Sequence, residues 1–258
     1  MTLSGNEIAA LVGSYFWPFI RVGAVLMAAP VTGSQTVPVR IRLALALVIT
    51  SVVVPVMPPG PAIDPFSLPA LSIIIQQVLI GVAMGFALQL VFGAVVTGGQ
   101  VIALKMGLGF ASMVDPQNGR QVPVVSQFYL LMTTLLFLTF NGHLLLVQFL
   151  VESFRILPVA ADGVTRGGIW ALVSWGSRMF EGAMWLAVPT VASLLVVNSA
   201  FGVMARAAPQ LNIFAIGFPL TLIFGFVVML FALPTLVPQF RTLMNEGFAL
   251  AGRVLAGG

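Results

Sequence analysis

The 258-residue sequence has no cysteine, a single histidine and few charges, with only 7% of its residues Asp, Glu, Lys or Arg. Each shortage removes a class of chemistry. Without cysteine there are no disulfides, thiolate nucleophiles or iron–sulfur ligands, although this alone assigns no redox compartment. His143 is the only imidazole, so a histidine metal cluster cannot form and a Ser-His-Asp triad has one residue to build on. Asp64, Asp115 and Asp162, the acids such a triad needs, all fall in connecting segments, and His143 reads instead as a polar residue closing a helix contact after Asn141-Gly142. The 11 basic residues are spread along the chain for a net charge of +4, with no run able to track nucleic-acid phosphates. Gly107-x-Gly109 opens like a dinucleotide loop, but Ser112 stands at the third glycine position and no strand precedes it. No catalytic site, cofactor or metal is expected, and the chain reads as a non-enzyme.

What the sequence has in abundance is apolar surface. Hydrophobic residues make up 59% of the chain and mean hydropathy is +1.10, whereas a soluble domain carries about a quarter charged residues. Apolar runs of the length needed to cross hydrocarbon, roughly 20 helical residues, recur throughout. The fold class is therefore all-α: a polytopic membrane-type helical protein of about six hydrophobic segments. The N-terminus lacks a basic n-region, its first charge being Glu7, so the first run is kept in the mature protein. No linker, repeat or charge block divides residues 1–258, which read as a single domain.

The first run, about 8–29, is interrupted by Pro18 and Arg21, and the polar turn Thr32-Gly33-Ser34-Gln35 follows. A second, about 43–57, ends in the proline-rich stretch 55–69, which no helix crosses intact. Between Asp64 and Lys105 lie forty uncharged residues, which fit either one long tilted helix or a hairpin. Within them Gly81-x-x-x-Gly85 is a small-residue spacing suited to close helix packing, or a chance one. Residues 106–122 break the pattern with Met106, Gly107, Leu108, Gly109, Phe110, Ala111, Ser112 and Met113, then the turn-like Asp115-Pro116-Gln117-Asn118-Gly119. This segment is an ordinary inter-helix loop or, given its glycines and deformable Met and Phe, an apolar pore plug. Further runs span about 124–151, 168–198 and 211–233, the last followed by Pro234 and Pro238. In the tail, Phe240, Leu243, Met244, Phe248, Ala251 and Leu255 fall near one helix face, which is expected to lie on lipid or on a partner.

Charges inside the runs are few enough to name. Arg178 and Glu181 share a helix face at a spacing of three and read as a structural ion pair, with a proton or ion pathway as the alternative. Arg21 either snorkels out of a helix broken by Pro18 or pairs with an acid of another subunit. Alternate connections carry five and four basic residues, so charge bias leaves the orientation of the termini open.

Several segments, in order and spacing, resemble the FliR family, the flagellar type III export-gate subunit homologous to SctT of virulence secretion systems. They are Arg21-Val-Gly-Ala-Val-Leu-Met-Ala-Ala-Pro30 with Val37-Pro38 and Arg40, Met106 to Met113 with Asp115-Pro116, Asn141-Gly142-His143, Ser153-Phe154 with Pro158, and Arg206-Ala-Ala-Pro-Gln-Leu-Asn-Ile-Phe214 leading to Gly217-Phe218-Pro219. The resemblance implies bent helical hairpins packed with several FliP and FliQ copies and with FlhB into a conical gate. That gate sits in the flagellar basal body at the bacterial inner membrane, and unfolded flagellar proteins pass through its centre. It also implies that the positions matching the family's plug are Met106 to Val122, with Phe110 and Met113 as the apolar candidates. The other readings are the equivalent subunit of a virulence system, or a small-solute or ion transporter with broken helices. A transporter should repeat a polar mid-membrane site in two halves, and the sequence has no such internal symmetry.

Overall fold

In the computed structural model, residues 5–34, 36–58, 60–61, 63, 67–109, 123–160, 162–207 and 213–257 are described, with backbone alone for 5–12 and 213–216. Among them the structure is helical and contains no strand. The helices are α1 (Gly5–Ala28), α2 (Val39–Val53) with a 3₁₀ turn (Val54–Val56), α3 (Leu68–Lys105), α4 (Val124–Thr139), α5 (Gly142–Ile156), α6 (Arg166–Ser174), α7 (Gly176–Ala207) and α8 (Ile213–Ala256). By length and composition four of the helical stretches can cross a membrane, or five if α4 and α5 form one broken span.

Two expectations about breaks are corrected. Pro18 does not interrupt α1, and Pro219, Pro234 and Pro238 all lie inside α8. A proline removes one backbone hydrogen bond, and a helix packed along its length tolerates that loss. The forty uncharged residues form no hairpin: α3 is a single helix of 38 residues, about 57 Å long at 1.5 Å per residue. Conversely, the run at 124–151 is divided at Phe140-Asn141, where Asn141 takes a left-handed conformation (φ 55°, ψ 29°) and starts α5. The run at 168–198 is divided at Trp175. Thr165 caps α6 by accepting a hydrogen bond from the Gly168 amide at 3.1 Å.

The chain packs as two compact units. The first comprises Met1–Leu90, Phe137–Gly176 and Met244–Gly258, and its core gathers Val22, Val25 and Leu26 of α1, Ala46 of α2, Ile80, Met84 and Leu88 of α3, and Leu146, Leu150 and Phe154 of α5. The second comprises Val91–Leu136 and Ser177–Leu243, where Phe92 meets Phe240 edge-to-face at 6.0 Å. Both units draw on α3, which is apolar on every side: it buries Ile80, Met84 and Leu88 while Leu71, Leu79 and Phe86 stay exposed.

The tail is a third correction. Phe240, Leu243, Met244, Ala251 and Leu255 are buried within the fold of their own chain, and Phe248 meets Phe149 edge-to-face at 6.2 Å. Its apolar face covers the protein's own core instead of lipid or a partner.

Candidate functional site

Three groups of residues carry the chemistry that the sequence singles out. The first centres on Arg21, whose side chain is fully buried (0% exposed) in the first unit. Its Nε donates to Gln77 Oε1 of α3 at 2.8 Å, its Nη1 to the Ser153 carbonyl at 2.9 Å and to Ser153 Oγ at 3.2 Å, and its Nη2 to the Leu157 carbonyl at 2.9 Å. The guanidinium also lies 4.1 Å from the centre of the Phe154 ring. Ser153 and Leu157 stand at the C-terminal end of α5, where the Ser153 carbonyl also accepts from the Leu157 amide at 3.0 Å and the helix dipole is negative. Arg21 therefore caps α5 with a cation, and its fixed fork of donors ties α1, α3 and α5 together. The side chain does not reach solvent, and the acceptors around it are neutral groups of its own chain.

The same junction explains two glycines. A Cβ on Gly81 would stand 2.6 Å from Ala24 Cβ and 2.7 Å from the Arg21 carbonyl, and one on Gly85 would stand 2.6 Å from Ala28 Cβ. Gly81-x-x-x-Gly85 on α3 thus meets Ala24-x-x-x-Ala28 on α1 with their backbones in near contact, a separation that larger side chains forbid. This close approach brings Gln77, one turn before Gly81, level with Arg21.

The second group is the segment read as a plug. Met106 is buried in the second unit, and a Cβ on Gly225 of α8 would meet its Cε at 2.7 Å. Gly107 has a positive φ of 82°, its amide donates to the Leu104 carbonyl at 3.2 Å, and the Leu108 amide reaches the Ala103 carbonyl at 3.0 Å. This pair of bonds is the Schellman motif, so the left-handed freedom of Gly107 serves to stop α3. A Cβ there would also lie 3.0 Å from the Phe218 ring. Gly109 is buried against the Leu104 side chain. Phe110, Ala111, Ser112 and Met113, with the Asp115-Pro116 turn, lie outside the described residues.

The third group is the ion pair on α7. Arg178 Nη1 and Glu181 Oε1 are 2.7 Å apart, with side chains 34% and 54% exposed. The two charges share a helix face and look outward from an apolar helix that also exposes Phe180, Met184, Trp185 and Val188. Among the described residues no group of His, Asp or Glu is arranged to hold a metal.

Sequence reasoning missed the partners of Arg21. One signal was present, because Gln76-Gln77 is the only adjacent pair of amides in the forty uncharged residues. Nothing local, however, announces that the end of α5 arrives at Arg21, 132 residues away in the chain.

The sequence matches the family described as bacterial export proteins, family 1, over residues 12–247. It is 41% identical over 242 residues to the flagellar biosynthetic protein FliR of Escherichia coli (strain K12), covering 94% of this chain and 92% of that one. The protein of the same name from Pectobacterium carotovorum is 37% identical over 255 residues, 99% of this chain and 97% of that one. The Bacillus subtilis (strain 168) protein of that name is 28% identical over 245 residues, 93% of each chain.

Proposed function

Because the chain belongs to family 1 of the bacterial export proteins, we propose that it is a structural, pore-forming subunit of the flagellar type III export gate in the bacterial inner membrane. The observation that carries this reading is the near full-length similarity to proteins named for flagellar biosynthesis. The structure supports it through long helices that leave large apolar side chains outside, such as Val48 and Val52 of α2, Trp185 and Val196 of α7, and Phe224 and Phe231 of α8. Surfaces of this kind require hydrocarbon or other subunits around them. The neighbours on this reading are several FliP and FliQ subunits and FlhB, and the substrate is an unfolded flagellar protein in transit. Residues 1–258 act as one export-gate domain, with no catalytic step of their own.

In this reading Met106 to Met113 form the closing plug. The Schellman cap at Gly107 holds the start of the segment, and Phe110 and Met113 make the apolar contacts that close the pore. Burying a large apolar side chain contributes roughly 1.5–3 kcal/mol, enough to bias a gate without dismantling a complex held by many helices.

The experiment is complementation. Expressed in an Escherichia coli strain lacking its own FliR, the chain should restore swimming and should co-purify with FliP and FliQ. A chain that reaches the membrane yet restores no secretion, or that purifies alone, monodisperse and as heat-resistant as when co-expressed, overturns the assignment. Deleting residues 108–113, or changing Phe110 and Met113 to Ala, should leave assembly intact while raising leakage of ions or small solutes. Leakage equal to wild type in a verified mutant complex returns the segment to a plain loop.

A further inference from the structure

Within the first unit, a cavity of about 190 Å³ opens where the end of α1 and the turn after it face α2 and α5. Leu26, Ala29 and Pro30 form one wall, Leu45 and Ile49 of α2 a second, and Val147 of α5 a third. We propose that this cavity takes the acyl chain of an anionic phospholipid whose phosphate is held by Arg42.

Size and lining point to hydrocarbon. An apolar cavity of about 150 Å³ excludes water and holds a six-carbon ring, so a somewhat larger one accommodates a comparable length of acyl chain. Filling it restores dispersion contacts that the lining otherwise lacks. Access comes across α2, whose outer side is apolar and open, with Leu43, Leu47, Val48 and Val52 between 49% and 70% exposed. Such a face, on a helix long and apolar enough to lie in a bilayer, puts lipid tails next to the cavity mouth.

Charge selects among lipids. Arg42, Leu45 and Ile49 are spaced at three and four residues and share one side of α2, which sets Arg42 one turn above the cavity wall. Its guanidinium is already oriented, because Nη2 donates to the Ser34 carbonyl in the turn that follows the cavity-lining Thr32. The Arg42 residue as a whole is only half-buried, so part of its side chain stays open to a phosphate arriving from outside. Arg40 is exposed two residues earlier and adds a second positive charge near the same end of α2. A cation above an apolar slot matches a phospholipid, headgroup to Arg42 and tail downward. An apolar side chain of a neighbouring subunit would fill the slot but bring no negative charge to match Arg42 and Arg40.

Native mass spectrometry of the full chain, alone and in complex with FliP and FliQ, tests this with two lipids of identical tails, palmitoyl-oleoyl phosphatidylglycerol and the corresponding phosphatidylcholine. One phosphatidylglycerol should be retained per chain. Val147→Phe, which fills the cavity, should abolish that retention. Arg42→Gln should weaken phosphatidylglycerol binding about fivefold while changing phosphatidylcholine little, the effect of one basic residue near an anionic headgroup. If Val147→Phe fails to fold, as judged by circular dichroism, the Arg42→Gln comparison decides alone. Unchanged retention in either folded variant overturns the proposal. So does a Val147→Phe chain that keeps its lipid but loses FliP or FliQ, since the cavity then belongs to a subunit contact. Complementation of swimming is read separately, so the lipid site can fail while the export assignment stands.

Discussion

Arg21 and Arg178 each place a guanidinium in an apolar helix, but their surroundings have little in common. Arg21 is sealed inside the first unit, with its donors on one amide, one hydroxyl and two carbonyls from other helices. Arg178 pairs with Glu181 one turn away on its own helix, and both side chains remain partly exposed. A buried charge is tolerable only when acceptors in fixed geometry surround it, and the four hydrogen bonds of Arg21 hold α1, α3 and α5 to one register. A local pair on an open face imposes no such register, and exposed pairs contribute little to stability. The first arrangement serves the fold of this chain, whereas the second presents a small polar mark on an exposed apolar helix face.

The largest effect expected from breaking this comparison is at Arg21. Arg21→Met takes the Arg21 donor from Gln77 Oε1 and the Leu157 carbonyl and should destabilise the purified full chain by about 2–4 kcal/mol, measured by thermal denaturation in detergent. Arg21→Lys should recover only part of that, because an ammonium cannot span the same fork of acceptors. A Met variant as heat-resistant as wild type would reduce Arg21 to a bystander.

Next is Gly81→Ala, which drives a methyl into Ala24 and the Arg21 carbonyl and should cost about 1–3 kcal/mol by forcing α1 from α3. Gly23→Ala is the control: a Cβ there meets nothing within 4 Å, so the exchange should be neutral or stabilise by up to about 1 kcal/mol. Equal melting shifts for the two alanines would rule out the close approach. Gly107→Ala should cost about 1–2 kcal/mol through its left-handed φ, with Gly107→Asn less harmful because Asn tolerates that conformation better. The reverse order in unfolding experiments would remove the cap.

The smallest change is expected at the open pair. Replacing Arg178 with Gln and Glu181 with Met should alter the stability of the isolated chain by no more than about 0.5 kcal/mol, yet lower the yield of complex with FliP and FliQ. Normal assembly with secretion abolished would instead assign the pair to proton movement.

Legibility from sequence followed the range of the forces involved. The all-helical fold, the apolar segments and the Arg178–Glu181 pair depend on neighbours within a few residues, and composition and spacing reveal them. The hairpin alternative for residues 64–105 arose because glycines look like breaks. Within α3 they are places where other helices come close, as at Gly98, where an added Cβ would stand 2.9 Å from the Ala183 carbonyl. Pro234 and Pro238 looked like the end of the last helix, but α8 continues because its tail has a core to cover.

By itself the sequence determined the solvent this chain is built for, the helices it forms and the absence of thiol or histidine-cluster chemistry, all of which follow from residue type and short spacing. Only the tertiary structure decided what those helices do with their exceptions. It turned Arg21 into a cap for α5, Gly81 and Gly85 into a near-contact with α1, Gly107 into the stop of α3 and the C-terminal tail into core. The physical reason is that a buried polar group or a missing side chain takes its meaning from the atom that arrives opposite it, and that atom comes from a distant part of the chain.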